Sequence, residues 1–298
     1  MLGTLGRTLL IVSLICIALI LISPTRTVQL EARTLSAEAT LLGEPFGWDL
    51  SEGAICIPSL DLDSPVTSPC KDGESFAGLL DGPVRWAQGQ QLSVFWSEDD
   101  LAIILRSESR DWPAGTVLRI PHAAALRNGA LSFTGELSIG QELSPGATGY
   151  VLDGTYAFFE RGLMTRFFDG TPDIIRKGDL RRGDRARIVC IENWWSKCSH
   201  SDRSDEKATT PNLAFASFMP DHAGKAGFHI VALGEETHSA LELTYAGRDT
   251  SLVIKPNWVQ RTAASSGLLA LSLLLSVTIP FLAALFPRKH NDPQRSTD

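Results

Sequence analysis

The sequence predicts an all-β domain, a sandwich or a barrel-like body, held outside the cytosol between two membrane-spanning helices. Three observations predict it. The ends of the 298-residue chain carry long uncharged apolar runs. The stretch between them is filled with short alternating apolar and polar runs, punctuated by Gly, Pro, Asp and Ser. Four of the five cysteines fall in that middle stretch, in two close pairs.

The first apolar run, 8–23, reads TLLIVSLICIALILIS and holds no charge. As a helix it rises about 24 Å, slightly short of the hydrocarbon core of a bilayer. Arg7 can snorkel outward and Pro24 ends the run. Ser-Pro-Thr-Arg follows it, a poor cleavage site for a signal peptide, so we read 1–23 as an uncleaved signal anchor. The second run, 263–286, is uncharged throughout and stops before Pro287-Arg288-Lys289. Pro280 should kink it, and Ser272 and Ser276 form a small-xxx-small pair of the kind that lets helices approach. The charged residues 287–298 form a short cytosolic tail.

Between these runs, 24–262 reads as one β-rich extracytoplasmic domain. Val28, Leu30 and Ala32 alternate with Gln29, Glu31 and Arg33. Residues 92–96 and 101–105 flank a charged turn and make a hairpin. Strands are expected at 115–120, 131–134, 136–139, 149–160, 185–191 and 228–233. Leu241, Leu243 and Tyr245 face Leu252 and Ile254 across Gly247-Arg248-Asp249. The run 121–127 allows one or two helical turns, closed by Asn128-Gly129.

The cysteines set the compartment. Cys16 lies inside the first apolar run. Cys56 with Cys70, and Cys190 with Cys198, suit two local disulfides, whereas none of the four shows the C-x2-C spacing of a zinc site. Disulfides need an oxidising compartment. Arg outnumbers Lys 20 to 7, and none of the five Asn residues begins an N-x-Ser/Thr sequon. These features together point to the periplasm of a bacterium: an inner-membrane, two-pass protein with both termini cytosolic.

For chemistry, the net charge of −7 argues against a nucleic-acid partner held by a basic groove. No P-loop, G-x-G-x-x-G, G-x-S-x-G or H-E-x-x-H is present, so no cofactor, metal or catalytic set is assigned. Asp61 and Asp63 lack the central Gly and terminal Glu of a calcium loop. Glu136, Asp153 and Glu160 are the carboxylates a glycosidase would need to bring within ~5 to 9 Å. The binding candidates are Trp194 and Trp195, inside Cys-Ile-Glu-Asn-Trp-Trp-Ser-Lys-Cys, and the adjoining basic run with Arg181, Arg182 and Arg185 around Arg182-Gly183-Asp184. With only short cytosolic segments, the expected role is a membrane-anchored accessory subunit. It would touch the bilayer and bind a membrane or periplasmic protein in an envelope complex. The alternatives are a glycan- or peptidoglycan-binding domain with Trp platforms and a membrane-tethered hydrolase.

Overall fold

A computed structural model describes residues 25–42, 47–59, 68–98, 100–109, 111–128, 130–140, 150–161, 171–191, 210–221, 226–235, 239–248, 250–257 and, beyond these, 259, 260, 263, 272 and 276. The first apolar run lies outside them, as does most of the second, in which Ala263, Ser272 and Ser276 are helical. Among the described residues no helix is long and apolar enough to cross a membrane.

The chain divides into two compact units. One comprises Thr25–Glu160 and Ile174–Asn257, the other Met1–Pro24, Arg161–Asp173 and Trp258–Asp298. The first is all-β. Its strands are β1 (Thr25–Thr34), β2 (Ser36–Leu41), β3 (Gly47–Asp49), β4 (Ala54–Pro58), β5 (Glu74–Leu79), β6 (Pro83–Arg85), β7 (Gln91–Trp96), β8 (Asp100–Leu105) and β9 (Val117–Pro121). After helix α1 (His122–Asn128) come β10 (Leu131–Ile139), β11 (Val151–Arg161), β12 (Asp173–Leu180), β13 (Arg185–Cys190) and β14 (Thr210–Pro211). The last four are β15 (Ala214–Pro220), β16 (Phe228–Gly234), β17 (Ser239–Thr244) and β18 (Ser251–Ile254).

All but β3 and β6 join one sixteen-stranded sheet, in the order β12-β11-β1-β16-β15-β10-β2-β7-β8-β9-β4-β5. β13 branches from β10 and leads on to β14, β17 and β18. The all-β expectation holds at this level. The strands make one open, branched antiparallel sheet, because two segments belong to both of its halves. β1 and β2 are a single run bent at Leu35. Before the bend it pairs with β16, and after it with β7 and β10. The Thr34 hydroxyl donates to the Ser36 carbonyl and accepts the Ser36 N–H, which satisfies the backbone at the corner. β10 divides one edge in the same way, between β15 at residues 131–135 and β13 at 138–139. The sequence suggested two strands here. They are one, because Gly135 lets β2 approach closely: a Cβ at this position would collide with the Thr40 carbonyl oxygen.

Period-2 alternation settles which face is inside. Val28, Leu30 and Ala32 of β1 are fully buried, and the 92–96/101–105 hairpin pairs Trp96 with Leu101 and Leu92 with Leu105. One contiguous core runs from β1 through β8 and β10 to β18 and includes Phe133, Phe158, Phe218 and Phe228. α1 lies on it through Ala124 and Ala125, and His122 stacks on Trp96 with ring centroids 3.8 Å apart. A second, smaller cluster forms on the other face of β4, β8 and β9 from Ala54, Cys56, Cys70, Ala102 and Val117. β8 is therefore buried on both faces, and its sequence reads as a continuous apolar run.

Candidate functional site

The expected pairing of Cys56 with Cys70 is present as a disulfide with a Cα–Cα distance of 5.6 Å. Cys190, buried at the end of β13, is also disulfide-bonded, and its partner lies outside the described residues. Cys198, Trp194 and Trp195 lie outside them too, as do Asp61 and Asp63.

The carboxylates considered for hydrolysis have separate partners. Asp153 accepts a hydrogen bond from Arg33 at 2.6 Å, and Glu136 lies 3.9 Å from Arg187. β10, which carries Glu136, is separated from β11 by β1, β16 and β15. At the corner of the sheet, however, the end of β10 meets the start of β11, with Gly140 against Val151. Asp153 and Glu160 share β11, seven residues and about 23 Å apart. That separation does not suit a glycosidase pair, and Glu136 and Asp153 are each engaged by a different arginine.

A buried ionic cluster stands beside the Cys56–Cys70 bridge. Arg119 on β9 donates through Nε and Nη2 to both oxygens of Glu74, at 2.8 and 2.7 Å, and through Nη1 to Asp100 at 2.8 Å. Its side chain is 5% exposed. Burial pulls the guanidinium pKa down, but the hydrogen bonds and charges of Glu74 and Asp100 outweigh this and hold it above the ordinary value. Cys56, Cys70 and Glu74 offer ligand atoms within 4.8 Å of one another. With both sulfurs joined to each other and the carboxylate held by Arg119, the group is a structural clamp on the edge strands.

The basic run folds into a turn beside a cavity. Leu180 ends β12, Arg185 begins β13, and the chain turns between them through Arg181–Asp184, where the Asp184 N–H bonds to the Arg181 carbonyl at 3.0 Å. Gly183 supplies the positive φ of 88° that the turn requires. Its N–H reaches the Val151 carbonyl at 2.9 Å, docking the turn on the start of β11. β13 pairs with β17, register Arg185 to Thr244, so the turn after β17 sits alongside. There the Arg248 N–H bonds to the Tyr245 carbonyl at 3.0 Å. Asp184, 2% exposed, ties the two turns together. One oxygen accepts the Arg181 N–H at 2.9 Å and the other the Ala246 N–H at 3.3 Å.

A cavity of about 390 Å³ opens between the turns, lined by Arg181, Arg182, Asp184, Tyr245, Ala246 and Arg248. Arg182 is fixed against Tyr150: Nη2 donates to the phenolic oxygen at 2.8 Å, and the guanidinium carbon lies 5.1 Å from the ring centroid. Among the described residues, the side chains of Arg181 and Arg248 have no carboxylate within ion-pair distance. Of the three arginines read from the sequence, the fold places Arg181 and Arg182 in this cavity. Arg185 is exposed opposite Thr244 and does not line it. Arg248, Tyr245 and Asp184 complete the site. The signal for them was a second Gly-containing turn with its own Arg and Asp, but only the β13–β17 pairing makes the two turns neighbours.

The site lies at one end of the β unit, and the chain enters and leaves the unit at the other. The Leu35 N–H bonds to the Tyr150 carbonyl, and Gly154 packs on Glu31 and Ala32, so β11 runs antiparallel to β1 with Thr25 level with Glu160. Gly183 to Val151, and Gly178 against Tyr156, set β12 antiparallel to β11 with Glu160 level with Ile174. Arg176 donates to the Lys255 carbonyl at 3.3 Å, which brings the last residues of the unit to the same region. From Val151 to Glu160 the strand spans about 30 Å.

No known protein family, no curated protein and no solved structure matches this chain.

Proposed function

We propose that this chain is a two-pass inner-membrane protein whose β domain stands in the periplasm as a non-enzymatic accessory subunit, binding a protein partner in a cell-envelope complex. The observation that carries this reading is the polarity of the β unit. Thr25, Glu160, Ile174 and the residues after β18 gather at one end, while the arginine-lined turns occupy the far end. Flanking apolar segments at 8–23 and 263–286 then fasten the unit by its near end. Its basic turns lie at the opposite end of the β unit from those chain ends, a placement suited to another protein. The Cys56–Cys70 disulfide and the oxidised Cys190 suit an oxidising compartment.

Two measurements test this. A cysteine placed at exposed Glu108 should react with a membrane-impermeant maleimide in intact spheroplasts. Labelling only after lysis would place the domain in the cytosol and end the proposal. Crosslinking in native membranes, followed by purification in mild detergent, should recover a stoichiometric protein partner. A chain that comes through both steps as an uncrosslinked monomer argues against the accessory role.

A further inference from the structure

We infer that the cavity between the β12–β13 and β17–β18 turns is a binding site for a soluble phosphate-bearing ligand, held as a dianion. The inference adds a ligand class to the far end of the β unit. It rests on the geometry of the turns and not on where the chain resides.

Three guanidiniums, from Arg181, Arg182 and Arg248, line one cavity. One carboxylate offsets them only in part, leaving the lining residues two positive charges in excess. Asp184 is the carboxylate among the lining residues, and both of its oxygens are turned to backbone N–H groups of the two turns. Two of the guanidiniums have no acidic partner among the described residues, so their donor forks are unspent. Arg182 is already oriented, stacked on Tyr150 and hydrogen-bonded to its hydroxyl, and Tyr150 is itself fixed through its carbonyl by the Leu35 N–H. A side chain held this way loses little freedom on binding, which favours a built site over a loose basic surface.

Guanidinium forks match oxyanions in a planar, bidentate manner, and phosphate takes several of them at once. An excess of two positive charges around one space favours a dianion over a monoanion by simple Coulomb attraction. The volume, about 390 Å³, falls in the range of small-ligand pockets and leaves room beyond a single oxyanion, with Tyr245 and Ala246 as the less polar wall. The same three cations on a protein facing its own bilayer would suit lipid headgroups. A phosphomonoester carries up to two negative charges and a lipid phosphodiester one, so the excess positive charge of the cavity favours the former.

The test uses the full chain in neutral detergent micelles at fixed ionic strength, titrated calorimetrically with inorganic phosphate and, separately, with glycerophosphoglycerol, the soluble headgroup of an anionic phospholipid. Saturable one-to-one binding of phosphate is expected, at least about tenfold tighter than the diester. Arg181→Ala and Arg248→Ala should each weaken it roughly tenfold or more. Lys177→Ala, three residues from the turn on the exposed face of β12, should leave it unchanged. Arg181→Lys separates a fork from a point charge and should recover only part of the affinity. Absence of saturable phosphate binding, binding that survives both Arg→Ala changes, or preference for the diester would each overturn the inference. A chain that binds phosphate but yields no crosslinked partner retains this site and loses the accessory role.

Discussion

Replacing Arg119 by Met should be among the most destabilising single changes in the β unit. The arginine makes three charge-assisted hydrogen bonds of 2.7 to 2.8 Å to two carboxylates. Water cannot take its place, because the side chains of Arg119, Glu74 and Asp100 are 5, 16 and 11% exposed. Each such bond is worth about 1.5 to 3 kcal/mol. The buried guanidinium's own desolvation, relieved in the mutant, offsets part of the sum. What remains is two like charges held together without a counter-ion, and the net loss should be about 3 to 5 kcal/mol. In a domain of this size the midpoint of thermal unfolding should fall by roughly 6 to 20 °C. Near-ultraviolet circular dichroism during urea and thermal unfolding reads this directly. The physical test lies in the combination: Arg119→Met with Glu74→Gln and Asp100→Asn should be more stable than Arg119→Met alone, because the orphaned charges are gone. The pKa of Arg119 is raised by folding, so its contribution is complete below the ordinary arginine value and fades only above it. The gap between wild type and Arg119→Met should therefore stay level from pH 7 to 10. A loss under about 1 kcal/mol, or no recovery in the triple variant, would refute the view of this cluster as a buried clamp.

Three further outcomes are expected. Changing Cys56 and Cys70 together to Ser opens a bridge with a sequence separation of 14 and should cost about 3 kcal/mol, measured by urea unfolding against the oxidised protein. Gly135→Ala should cost about 3 kcal/mol or prevent folding, since the added methyl meets the Thr40 carbonyl; unchanged unfolding would mean β2 and β10 can separate. Asp184→Ala removes the acceptor for two backbone N–H groups and should cost about 2 kcal/mol, with faster hydrogen exchange at the Arg181 and Ala246 amides; slow exchange at both would show the turns are held by something else.

Much of the β unit was legible in the sequence wherever one face is buried and the other wet. The 92–96/101–105 hairpin and the pairing of Leu241 and Leu243 with Ile254 and Leu252 follow from alternation and turn residues. The same is true of the Arg182-Gly183-Asp184 bend, where a glycine with positive φ is a local requirement. β4, β5, β12 and β15 were not legible. β5 and β12 are exposed edge strands with little alternation, and β15 places Phe215, 56% exposed, on its outer face. Hydrophobic patterning is silent about the edge strands, which bury little, and misleading for β15, where apolar Phe215 and Met219 stand on the outer face while Ala214, Ala216 and Phe218 enter the core.

The sequence by itself determined the all-β class and a basic turn next to an aspartate, and it favoured the local pairing of Cys56 with Cys70 that the structure contains. It held no information on which strand meets which at distances of tens of residues. Tertiary structure alone decided that Glu74 and Asp100 share Arg119, that Glu136 and Asp153 fall to different arginines, and that Arg248 joins Arg181 and Arg182 in one cavity. The reason is that alternation and turn chemistry act over a few residues. Strand order is fixed instead by how the whole set of apolar faces closes around one core, as at Leu35 and within β10, where a single strand is shared between the two halves of the sheet.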